Sequence, residues 1–183
     1  WVGFVESDLV ALDTVLRTNL DALLRGGALP GGFAPLSREL WWWWWGRIVQ
    51  LDAAAFHALN AAIAVAGGWW LHRAVKRWAG PGAALGSLLA WVVFPPLGTL
   101  LAWTSGAREL VAVLASAGAL LAFAQGRWWV AGLACAGAAL SGAETGLLAL
   151  ALVAADGIER PSDRVAARLP RLLPSLVMGL AGA

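Results

Sequence analysis

Tyrosine is absent from this chain, cysteine and methionine occur once each, histidine twice, and only 13% of the 183 residues are charged. Each shortage excludes something. A single cysteine, Cys135, cannot form an internal disulfide and says nothing about redox compartment. No spacing of His, Cys, Asp or Glu matches a metal-ligand motif, and no nucleotide loop or nucleophile elbow is present. A net charge of +2, with Arg and Lys at the ends of apolar runs rather than in a stripe, gives no sign of nucleic-acid binding. A soluble domain carries about 25% charged residues, so the low charge argues against one.

What is present is hydrocarbon. Long apolar runs occupy Ile48–Leu71, Ala83–Trp103 and Val130–Ala155, with a shorter one at Leu110–Ala124. A bilayer-spanning helix needs roughly 20 mostly apolar residues. The thirteen Trp suit the headgroup level, where an apolar ring with one N–H fits. The composition therefore predicts an integral membrane protein, and its rich Ala, Gly and Arg content suggests a bacterial inner membrane. The chain begins at Trp1 and stops within an apolar stretch, Leu172–Ala183, so it is read as a fragment with helices expected on both sides.

Residues 1–46 differ from the rest and hold five of the eleven acids: Glu6, Asp8, Asp13, Asp21 and Glu39. Ser7 can cap a helix over about Asp8–Leu24, with Leu9, Leu12, Leu16 and Leu20 at helical spacing. Gly26-Gly27 stops it, and Gly31–Ser37 reads as a loop. The segment is expected to be an amphipathic extracytoplasmic loop domain. The five consecutive Trp at Trp41–Trp45 cannot all face one way on a helix. They read as an interfacial anchor, or as a platform for sugar or lipid.

Residues 47–155 are expected to form the transmembrane helices. A first span over about 48–71 leads into the basic run His72-Arg73-Ala74-Val75-Lys76-Arg77, read as a loop and placed in the cytoplasm by the positive-inside rule. A second span over about 83–103 returns, with Pro95-Pro96 kinking or breaking its outer third. A third, about 109–125, ends near Arg127. Val130–Ala155 contains Ser141-Gly142-Ala143-Glu144 and precedes Arg160, Arg164, Arg168 and Arg171. Two short helices broken near 141–144 would keep those arginines cytoplasmic. Residues 156–171 are then a cytoplasmic linker, and 172–183 the start of a further helix.

Few residues can carry chemistry. Glu6 and Asp8, on the outer face, could act as a general base on a hydroxyl or bind a divalent cation. They could equally be acids favoured at a helix N-terminus. Glu144, inside an apolar run, is a functional-site hypothesis by default or a carboxylate bonded to backbone N–H groups at a helix break. Arg108 could pair with Glu109 or hold a lipid phosphate. His57 and Asn60, one turn apart, share a face and could bond across to another helix.

The order of these features resembles the GT-C fold membrane glycosyltransferases, specifically the protein O-mannosyltransferase-like branch that uses polyprenyl-phosphate sugars. The matching stretches are Glu6-Ser7-Asp8, Phe33-Ala34-Pro35-Leu36-Ser37 and Phe56-His57-Ala58-Leu59-Asn60. Further on come Trp91-Val92-Val93-Phe94-Pro95, leading to Trp103-Thr104-Ser105-Gly106-Ala107-Arg108, and then Leu140-Ser141-Gly142-Ala143-Glu144-Thr145-Gly146. The resemblance covers about residues 4–155. It departs at Ala34 (Arg in the family), Phe94 (His), Thr99 (often acidic), Ala64 (His) and Ala143 (Lys).

The resemblance implies an all-α, polytopic transmembrane helical bundle. It implies transfer of a sugar from a polyprenyl-phosphate donor to a hydroxyl of a protein, lipid or glycan on the outer face. Asp8 would be the general base and Glu6 a helper or metal contact. Arg108, and more weakly Arg38, would bind the donor phosphate. Glu144, His57 and Asn60 would serve structure or the acceptor site. No cofactor is implied beyond a divalent cation that Asp8 could hold. The departures keep two alternatives open: an inactive scaffold that binds lipid-linked sugar, and a transporter with Glu144 as a coupling-ion site.

Overall fold

The computed structural model describes residues 6–24, 39–49, 52–103 and 106–141, with isolated positions at 152, 170, 172–174 and 177. These residues are helical and contain no strand.

The amphipathic helix expected over 8–24 is two helices, α1 (Glu6–Arg17) and α2 (Leu20–Leu24). The interruption falls at Thr18-Asn19, whose short polar side chains compete with helical hydrogen bonding. Arg47 donates from Nη2 to the Thr18 carbonyl at 3.3 Å, capping an oxygen the helix end leaves free. The buried stripe is Ala11, Leu12 and Val15, whereas Leu9 and Leu16 are exposed. It packs on α3 (Trp41–Val49), where Trp42 and Gly46 face inward and Trp44 faces outward. Trp42 meets Phe56 with ring centroids 5.2 Å apart, joining this layer to the next helix.

The first long apolar helix starts later than the hydropathy suggests. Residues 48 and 49 close α3, and Asp52 caps α4 (Ala53–Val92) by accepting from the N–H groups of Ala54 and Ala55 at 3.0 and 3.3 Å. α4 is not straight. Gly80 has φ 82° and ψ 178°, a conformation suited to glycine, and Pro81 follows it. The Trp91 indole N–H donates to the Ala64 carbonyl at 3.1 Å, and His72 Nδ1 lies 3.0 Å from the Ala84 carbonyl. In a continuous helix Ala64 and Trp91 would be about 40 Å apart. The two limbs therefore run antiparallel. The basic run 72–77 is not the loop expected from sequence: it is helical and forms the last turns before the reversal.

At Gly68 the two limbs approach closely. A Cβ there would fall 2.5 Å from Trp91 Cδ1 and 2.7 Å from its Nε1. Gly68→Ala is expected to displace Trp91 and break its bond to Ala64, destabilising by about 1–3 kcal/mol. Thermal unfolding of purified protein checks this, with Gly86→Ala, which meets open space, as the comparison.

The helix breaks again at Val93-Phe94. α5 (Pro95–Ala102) then continues the return, with its prolines in the first turn where a missing N–H is tolerated. α6 (Ala107–Ala124) packs beside the first limb of α4. Trp70 lies against Gly118, and Trp78 meets the Phe123 ring edge-on at 6.5 Å. α7 (Trp128–Ala139) turns back along α6 after a positive-φ Gly126, with Trp128 edge-on to Phe123 at 5.1 Å. By length and composition, α4 and α6 are apolar enough to cross a bilayer. Residues 142–150, and with them Gly142, Ala143 and Glu144, lie outside the described residues, as do residues 156–169 and 171 of the linker expected at 156–171.

Candidate functional site

The up-and-down path brings four helix ends to one end of the bundle: the start of α4, the end of α5, the start of α6 and the end of α7. His57 and Asn60 sit one turn apart on α4, and both reach α5. His57 Nδ1 lies 3.0 Å from the Leu101 carbonyl, which can only accept, so this nitrogen carries the proton in that bond. Asn60 Nδ2 donates to the Trp103 carbonyl at 3.0 Å. Asn60 is fully buried, so its amide is removed from water.

Arg108, half-buried in the first turn of α6, donates from Nε to the Ser141 carbonyl at 3.4 Å. Ser141 is itself fully buried, and its hydroxyl donates back to Gly137 at 2.8 Å. Phe56, beside His57, is packed under Trp42 in the cluster that contains Ala11, Leu12 and Val15 of α1. α1 therefore attaches at this same end. Three sequence stretches tens of residues apart, 56–60, 101–108 and 141, are tied together by side-chain-to-carbonyl bonds.

The remaining expected site residues are placed less fully. Glu6 and Asp8 occupy the first turn of α1, and their side chains lie outside what the structure describes. Arg38 and Glu144 lie outside the described residues altogether. Among the described residues no group of three His, Cys, Asp or Glu is gathered.

Two features escaped the sequence. Glu39, counted there only among the acids of 1–46, is fully buried beside the Trp run. Its adjacency to five consecutive Trp was the available signal. The second is the carbonyl acceptors at Leu101, Trp103 and Ser141, which no side-chain pattern announces.

Asn60→Leu keeps the shape but removes the donor to Trp103. The Trp103 carbonyl still accepts from the Gly106 N–H at 3.1 Å, so losing the Asn60 bond should lower stability by about 0.5–1.5 kcal/mol. The expected observation is a reduced melting temperature together with faster amide exchange at the end of α5.

No family model, curated protein sequence or solved structure matches the chain.

Proposed function

We propose that this chain is part of an integral membrane glycosyltransferase of GT-C-like architecture that moves a sugar from a polyprenyl-phosphate donor to an acceptor hydroxyl on the outer face. The observation that carries the reading is the convergence at one end of the bundle. The stretches Phe56–Asn60, Trp103–Arg108 and Ser141, which carry the family resemblance in sequence, are held together there by hydrogen bonds 3.0–3.4 Å long, and α1 attaches at the same end through Trp42 and Phe56. In this reading Asp8 deprotonates the acceptor hydroxyl, Glu6 assists it or contacts a divalent cation, and Arg108 and Arg38 face the donor phosphate.

The membrane placement has its own support. α4 and α6 are long and apolar enough to span. Large apolar side chains along the bundle are open, among them Val65 at 73%, Val92 at 66% and Val93 at 72% exposure. Lipid would cover them. Arg73, Lys76, Arg77 and Arg127 gather at the end opposite His57 and Asn60, which suits the cytoplasm by the positive-inside rule and leaves residues 1–46 outside.

A second reading, a scaffold that binds lipid-linked sugar without turning it over, is favoured by one observation. His57, Asn60 and Arg108 are all bonded to backbone carbonyls, as structural groups are. A transporter would rest on Glu144. The test is transfer of labelled sugar from polyprenyl-phosphate donors by the full-length protein in membranes. Transfer lost on Asp8→Asn supports the enzyme. No transfer by the wild type across several donors overturns it in favour of the scaffold or the transporter.

A further inference from the structure

At the end of the bundle opposite the converging motifs lies a cleft of about 510 Å³, lined by Trp69, His72, Arg73, Lys76, Arg77 and, from α6, Leu121 and Gln125. His57 and His72 are separated by about 22 Å of helix, so this cleft is distinct from the motif cluster. Its lining contains two guanidinium groups, an ammonium, an amide and an imidazole, and no carboxylate. Among the described residues no acid pairs with Arg73, Lys76 or Arg77. The imidazole of His72 stacks on Trp69 at 6.0 Å and 19° while its Nδ1 is bonded to Ala84, so the ring is held in position.

A second feature adjoins the first. An apolar groove of about 460 Å³ runs between the limbs of α4 and α5, lined among others by Val65, Gly68, Trp69, Leu88 and Trp91. The Trp69 side of the groove is shared with the cationic cleft. A cationic recess opening beside an apolar channel matches an amphiphile with an anionic head and a hydrocarbon tail.

We propose that the cleft is a binding site for an anionic phospholipid of the cytoplasmic leaflet. Its phosphate sits among Arg73, Lys76 and Arg77, and one acyl chain lies in the groove beyond Trp69. A guanidinium fork recognises phosphate oxygens well, and basic pockets between membrane helices on the cytoplasmic side hold such headgroups. The positive-inside rule alone explains why cations lie at this end. It does not require them to share a recess with a stacked Trp–His pair and an apolar groove. The inference rests on the membrane reading and is independent of sugar transfer.

Alkaline-carbonate extraction of cell membranes tests the first part. A chain released into the soluble fraction overturns the membrane reading and the lipid site with it. For the site, native mass spectrometry of the full-length protein in detergent is titrated with phosphatidic acid and with phosphatidylcholine. Phosphatidic acid is expected to bind at least about tenfold more tightly, a preference lost in R73Q/K76Q/R77Q and kept in R127Q, a cation at the same end outside the cleft. Val65→Trp fills the groove without changing charge and should weaken phosphatidic acid binding, which keeps the test decisive should the triple variant fail to fold. Equal binding of the two lipids, or equal loss in R127Q, overturns the site. Glycerol 3-phosphate competing as well as the intact lipid overturns the lipid in favour of a soluble phosphate.

Discussion

If the proposed transferase reading holds, Asp8→Asn is expected to reduce sugar transfer by about 100- to 10,000-fold, the span a positioned general base contributes, while leaving α1 folded. The substitution preserves size and hydrogen-bonding shape but removes the group that, in the proposed reaction, would take the acceptor's proton. Asp8 lies in the first turn of α1, where an acid also favours the helix dipole by about 0.3–1 kcal/mol. The two roles predict different results. A residue that only decorates the helix end would lose a little stability and leave the rate per folded molecule unchanged. A base would lose rate with little change in melting. Glu6→Gln should fall between, because a helper can be partly replaced by water. Transfer assayed at matched expression, beside a melting curve for each variant, separates these outcomes. Undiminished transfer in Asp8→Asn would move the base to another part of the protein.

Gly106→Ala is expected to be the most damaging small change in the described bundle. A Cβ at this position would collide with the carbonyl oxygen of Leu100 and fall 2.8 and 2.9 Å from its carbonyl carbon and Cα. These are backbone atoms of α5 and cannot swing away as a side chain can. The Gly106 N–H is also engaged, to the Trp103 carbonyl at 3.1 Å. Relief requires prising α5 from the start of α6, which disturbs the carbonyls that His57 and Asn60 hold. The expected loss is about 3 kcal/mol, the upper part of the range for overpacking. Gly98→Ala in α5, which meets nothing within 4 Å, should be neutral or slightly stabilising through helix propensity. Similar melting temperatures for the two variants would refute the steric account.

Local signals in the sequence anticipated local structure. The apolar run at 110–124 matches α6 within a few residues, and Pro95-Pro96 does mark a break. The i, i+3 spacing of His57 and Asn60 placed them on one face, and both do reach across to another segment. Signals that depend on tertiary approach were silent or misleading. Leu9 and Leu16 fit the helical period of α1, yet the face that packs on Trp42 and Gly46 is one residue out of phase with them. Asp52 lies inside the run expected to be the first span, and it is the cap that sets where α4 begins. The basic run 72–77 looked like a loop because charge is rare within a span, but helix continues through it to Gly80. Its recess exists only because Leu121 and Gln125 of another helix close one side. The role of Gly106 depends on a carbonyl six residues earlier in the chain. The side chains of Glu6 and Asp8, to which the proposed function gives the proton transfer, stand outside the described residues.

The two latches on the α4–α5 hairpin have a mechanical consequence. At one end the chain reverses through Gly80-Pro81. At the other, His57 and Asn60 fasten the start of α4 to the end of α5. A hairpin closed at both ends behaves as a hoop. Tension applied to either free end must first rupture the His57 and Asn60 fastenings before either limb can peel away, so the segment from Ala53 to Trp103 should yield as a single piece. Thermal opening meets the same constraint, and inside the hoop the Trp91–Ala64 bond ties the walls of the apolar groove together.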